Sequence, residues 1–198
     1  MHAPGGKGTS RPPTGLIDRM DADFFRAEAA IRLGDEATAV KRLADAKAVR
    51  AQMALWQKAL SADWFKGWDA YGETLLARAH AAKPSAAAQK KAIEALESYI
   101  KQHPGGSASG PAMKRTAREL LGEALLAAGK PKEALAQFET VLGARPNRAL
   151  ALLGAARAAK AAGDAKKARA HYGELAELWK GADADLPELA EVTAGARE

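Results

Sequence analysis

Two stretches decide the fold: LLGEALLAAGKPKEALAQFETVLGARP at residues 120–146 and AARAAKAAGDAKKARAHYGELAELWKG at residues 155–181. Gly122 and Ala156, Gly129 and Gly163, Ala134 and Ala168, and Phe138 and Tyr172 are each 34 residues apart. Self-similarity at a fixed period of this length is the mark of a repeat architecture. Each unit reads as two amphipathic helices joined by a tight turn at AGK or AGD. Gly129 and Gly163 are placed there to take the left-handed conformation that ends a helix.

Composition agrees with an all-α chain. Alanine fills 50 of 198 positions, whereas valine and isoleucine together fill eight, so helix formers are abundant and strand formers scarce. Small alanine faces also let helices approach closely, which suits many short helices packed side by side.

The pattern resembles the tetratricopeptide repeat family, whose unit carries W-x2-L-G-x2-Y, then A-x3-F, then Pro. Leu121, Gly122, Leu125, Ala134, Phe138 and Pro146 supply this series in the third unit, with Arg118 in place of the Trp. The fourth unit keeps Ala156, Ala168 and Tyr172 without a closing Pro. In the second unit, Trp68, Tyr71, Gly72 and Leu75 lead to Ala92, Leu96 and Pro104. Gly72 and Ala92 lie 20 residues apart against 12 for Gly122 and Ala134, so about eight residues are inserted around RAHAAKPS. GGSASGPA at residues 105–112 reads as a flexible joint. The first unit offers Ala27, the turn Gly34–Asp35, Ala39 and Leu43, and its second helix can extend by about three turns.

The resemblance implies a right-handed α-α superhelix of about four helix-turn-helix units. The units fall at about 20–60, 65–104, 115–148 and 149–180, with a capping helix at 185–192 that Asp185 and Pro187 would start. Residues 1–19 read as a flexible arm or linker and 193–198 as a flexible tail. The stretch WQKALSADWFKGWDAYG at residues 56–72 then becomes a boundary between two units. Within it the aromatics Trp64 and Phe65 are not required by the pattern, so they are the candidates for a hydrophobic contact with a partner.

The net charge of +6 is unevenly spread. Residues 105–180 hold 13 Lys and Arg against 7 acids, while the last eighteen residues hold five acids and one Arg. KRTAR and AKKAR are too short and mixed to form the basic stripe of a nucleic-acid surface, so no nucleic acid is expected as partner. With no cysteine there is neither a disulfide nor a thiolate metal site. No transmembrane run is present, and the N-terminal segment lacks the apolar core of a signal peptide. The cytoplasm is therefore the default compartment, with the periplasm, or export as part of a longer protein, as the alternative.

No constellation for catalysis is visible. His2, His80, His103 and His171 are far apart, with no HExxH pair to hold a metal. GGKGT has no preceding strand and is followed by RPPTG, which cannot open the helix of a phosphate loop. GGSASG lacks the spacing of a nucleophile elbow. The expectation is a non-enzyme with no cofactor and no metal.

In tetratricopeptide arrays the first helix of each unit lines a concave groove, so the resemblance puts Asp69, Glu73, Glu119, Glu123, Arg157 and Lys160 there. This arrangement predicts an acidic middle and a basic end, complementary to a peptide with basic residues that ends in an acidic group. The chain's one asparagine, Asn147, stands just beyond a closing Pro, which argues against the carboxylate clamp of co-chaperone members. The functional expectation is a non-catalytic scaffold that binds a peptide or partner domain. The alternatives are a regulatory or oligomerisation tail of a larger enzyme or sensor and, third, a nucleic-acid-binding helical repeat.

Overall fold

The computed structural model describes residues 14–53, 69–70, 72, 75, 86–103 and 116–198. Eight helices are bounded within them: α1 Thr14–Arg32, α2 Glu36–Met53, α3 Ala86–Gln102, α4 Ala117–Ala127, α5 Pro131–Ala144, α6 Ala149–Ala161, α7 Ala165–Leu178 and α8 Leu189–Gly195. Asp69, Ala70, Gly72 and Leu75 are also helical, and no strand occurs among the described residues. The chain is all-α, as composition requires. Trp64, Phe65, Glu73, the insertion at 78–85 and the joint at 105–112 lie outside the described residues.

The described residues divide into two compact units, one reaching to Lys91 and the other starting at Ala92, so the division falls within α3. In the first unit, α1 and α2 form an antiparallel hairpin. α1 begins at Thr14, within the stretch expected as an arm, and buries Met20 fully. Met20, Phe24, Ala27 and Ala30 of α1 and Ala39, Leu43, Ala46, Val49 and Met53 of α2 are all buried. The three- and four-residue spacings put each set on one face of its helix. The alanines keep both faces shallow, so the helices pack closely. Gly72 belongs to the same unit: a Cβ there would sit 3.4 Å from the Phe24 ring.

In the second unit α4, α5, α6, α7 and α8 pack each against the next, and α4 also touches α6. Thr116 starts α4 with a capping box, its hydroxyl accepting from Glu119 N–H at 3.2 Å while Thr116 N–H donates to Glu119 Oε2 at 2.6 Å. The α5–α6 connection turns at Asn147, which adopts a positive φ of 62° just after Pro146. Asparagine tolerates that region better than most side chains.

One turn device recurs in both units. Gly34, Gly129 and Gly163 have φ of 72°, 74° and 80°. The amide that follows each of them reaches back to a helix carbonyl: Asp35 to Ala30, Lys130 to Leu125 and Asp164 to Ala159, each at 2.9 Å. This is the left-handed closure that satisfies the last carbonyls of a helix. Asp35 and Asp164 then cap the next helix, accepting from Thr38 N–H and Lys167 N–H at 3.0 Å. α5 has no side-chain cap and instead starts with Pro131, whose missing N–H costs nothing in the first turn.

Phe138, 1% exposed, sits where α5 crosses α4 and α6. A Cβ on Gly122 would lie 2.7 Å from the ring, and one on Gly154 would lie closer still. Both glycines therefore act as slots for the aromatic. Tyr172 repeats the arrangement one unit later, buried with Leu152, Leu153, Ala156, Leu175 and Val192, and its ring overlaps the Cβ position of Gly195 on α8. The terminal helix thus serves Tyr172 as α6 serves Phe138. It runs from Leu189 rather than from Asp185, because residues 183–188 form successive turns closed by Leu186 N–H to Asp183 O and Leu189 N–H to Leu186 O.

Gly154→Ala is expected to lower stability by about 1–3 kcal/mol through forced displacement of Phe138. Gly143, also within α5, has open space at its Cβ, so Gly143→Ala should raise stability by about 0.5–1 kcal/mol through backbone entropy. Urea unfolding followed by circular dichroism measures both, and equal effects would refute the slot.

Candidate partner-binding face

The first helix of each repeat unit offers the expected partner-binding positions, and the structure treats them differently. Asp69, in the first unit, is largely exposed, and its Oδ2 accepts from Arg50 Nη2 at 3.2 Å. Beneath this hairpin Asp23 is buried, and its Oδ1 accepts from Arg42 Nη1 at 3.4 Å. That pair is an interior contact between α1 and α2.

Glu119 differs from the expectation of a carboxylate open to a partner. Its side chain is 1% exposed and both oxygens are engaged. Arg148 donates from Nε to Oε1 at 2.5 Å and from Nη2 to Oε2 at 2.8 Å, while Oε2 also closes the capping box. A forked charge-assisted pair of this kind fixes direction as well as distance. It ties the start of α4 to the residue that precedes α6, so Glu119 positions the face instead of lining it. Glu123, one turn along α4, is half-buried.

Arg157 and Lys160 lie one turn apart on α6, and the terminal segment meets both of them. Arg157 Nε and Nη2 donate to Glu191 Oε1 and Oε2 at 2.8 and 2.5 Å, and Tyr172 Oη donates to Glu191 Oε1 at 2.7 Å. Lys160 Nζ donates to Glu198 Oε2 at 2.6 Å. The hydrogen bond from Arg157 is the main reason that Glu191 is held below the ordinary carboxyl value. The same bond pushes Arg157 up, while burial and then the bond to Glu191 push the Tyr172 hydroxyl up.

The basic end of the face is therefore met by the acidic end of the chain. Arg157 is 42% and Glu191 36% exposed, and exposed pairs contribute only about 0–1 kcal/mol. Full burial of Val192, at about 1.5–3 kcal/mol for such a side chain, outweighs them in docking α8. The charges set the direction of docking, and Val192 supplies most of its strength.

The sequence reading did not single out Arg148, Glu191, Tyr172 Oη or Glu198. The T-x-x-E spacing of Thr116 and Glu119 was a readable sign of a capping box. The excess of acids after residue 181 was a readable sign of the terminal partner. Among the described residues no group of three or more His, Cys, Asp or Glu could hold a metal ion, and no helix is long and apolar enough to cross a membrane.

Because Glu191 is depressed in the folded chain, its contribution is present above the ordinary carboxyl value of 4.5 and is lost as pH falls through the lower folded value. Urea unfolding of the parent and Glu191→Gln should differ most near neutrality and converge in acid. A constant difference across that range would contradict the assigned contact.

The family model for the tetratricopeptide repeat matches residues 125–186. No curated protein matches the chain. The matched segment runs from the end of α4 through the whole of α7, and it contains Phe138 with Gly154, Tyr172 and both left-handed Gly turns at residues 129 and 163. The period, the packing and the match agree on residues 125–186 as a tetratricopeptide repeat segment.

Proposed function

We propose that the chain is a non-catalytic interaction module that binds a peptide or partner domain along the first helices of its repeat units. Tetratricopeptide repeats are general protein-interaction scaffolds, and this chain's residues suit that use. The observation that carries the reading is the fork between Arg157 and Glu191, because a solvent-accessible cation on this face already receives a carboxylate from a short helix. A partner carboxylate engages Arg157 and Lys160 in exchange for Glu191 and Glu198. Glu123 supplies an acidic counterpart for a basic residue of the partner, Asp69 and Glu73 are candidate contacts of the first unit taken by itself, and Glu119 keeps α4 and α6 in register. Trp64 and Phe65 stay in the proposal as a hydrophobic contact.

The partner is identified by affinity capture on the full chain and its affinity measured by isothermal titration. Arg157→Gln and Lys160→Gln together should weaken binding by about 10- to 100-fold, the range for hydrogen bonds to charged groups. Circular dichroism verifies that helix content is kept. Partners that bind the folded double variant as tightly as the parent would overturn the assignment of this face.

A further inference from the structure

Away from the first helices, α5 and the start of α7 line an open groove. Lys132, Leu135, Ala136 and Glu139 line it from α5, and residues 162–167 line it from the α6–α7 turn and the first turn of α7. Its volume is about 690 Å³, within the range of sites that hold ligands. The spacing of the α5 residues places them on one stripe of that helix. Leu135, Ala136, Ala162 and Ala165 provide apolar lining between the charged groups.

The charges in this groove are not equivalent. Lys167 Nζ donates to Glu139 Oε1 at 2.7 Å, and His171 Nε2 lies 3.9 Å from the same oxygen. Asp164 is committed through Oδ1 to capping α7. Lys132 and Lys166 are exposed, and neither has an ion-pair partner among the described residues. They stand 34 residues apart, at the same position of successive second helices. Two unpaired ammonium groups from neighbouring helices thus flank an apolar strip.

We propose that this groove binds an acidic peptide segment of a partner protein, with two carboxylates on Lys132 and Lys166 and an apolar side chain against Leu135 and Ala136. Charge complementarity selects an anionic partner. A nucleic-acid backbone fits less well, because Glu139 and Asp164 interrupt the cationic lining and a phosphate track needs a continuous basic surface. The site is separate from the Arg157 face, so either assignment can fail alone.

Fluorescence anisotropy on the full chain tests it, using a labelled Asp/Glu-rich peptide library with one randomised apolar position and a labelled single-stranded oligonucleotide. The peptides should bind, with affinity falling as salt rises. Lys132→Glu with Lys166→Glu should weaken binding by about tenfold or more, while Lys47→Glu, at an exposed position of α2, leaves it unchanged. Both lysines are exposed, so the variant is expected to keep its fold, and circular dichroism verifies this. Absence of peptide binding, or binding indifferent to the two lysines, would overturn the proposal. So would tighter oligonucleotide binding through the same lysines, or lysine-dependent self-association of the chain, each assigning the groove to another occupant.

Discussion

The contact of the Phe138 ring with the backbones at Gly122 and Gly154 sets the geometry of the second unit. An aromatic that would overlap a Cβ on either side fixes how closely α4, α5 and α6 can approach, and close-packed interiors respond to changes of a single carbon. Once those three helices are fixed, Glu119 can meet Arg148 across them. The face that carries Glu123, Arg157 and Lys160 follows from the same crossing. A larger residue at either glycine would separate the helices before it altered any charged group.

Tyr172 shows how the array ends. It needs a small residue opposite its ring, and the fourth unit has no further repeat to supply one. Gly195 of α8 provides it, while Val192 enters the same cluster. Solenoid ends require such a cover because the last repeat would otherwise expose its apolar side. The cover also presents Glu191 to Arg157 and to the Tyr172 hydroxyl, so one short helix satisfies an apolar, a steric and an electrostatic requirement. The polarity of the face around Arg157 is thereby linked to how the chain closes its own core.

Much of this was legible in the residues because it is local or periodic. Gly129 and Gly163 announce the turns, and Ala134 with Phe138 announces the second helix of the third unit. Thr116 and Glu119 announce a cap. What escaped depends on contacts between distant segments. Glu119 sits at a position that suggests an open face, yet Arg148, 29 residues later, closes over it. Gly195 falls 41 residues after Gly154 rather than 34, since the turns at residues 183–188 lengthen the last connection, so no repeat alignment reveals its role. Asp185 and Pro187 look like the start of a helix, but hydrogen-bonded turns use those residues first. Charge complementarity between α6 and the chain's end was visible in the composition, while the pairing itself is a product of the fold.

A double-mutant cycle on Phe138→Leu and Gly154→Ala, with unfolding free energies measured in urea, tests the seating of the ring most directly. If the ring occupies the space of the missing Cβ, the smaller, flexible leucine relieves the overlap. The cost of Gly154→Ala should then fall by about 1 kcal/mol or more on the leucine background, within the range seen for residues in contact. Strict additivity of the two substitutions would contradict the ring-in-slot geometry and, with it, the spacing of α4, α5 and α6.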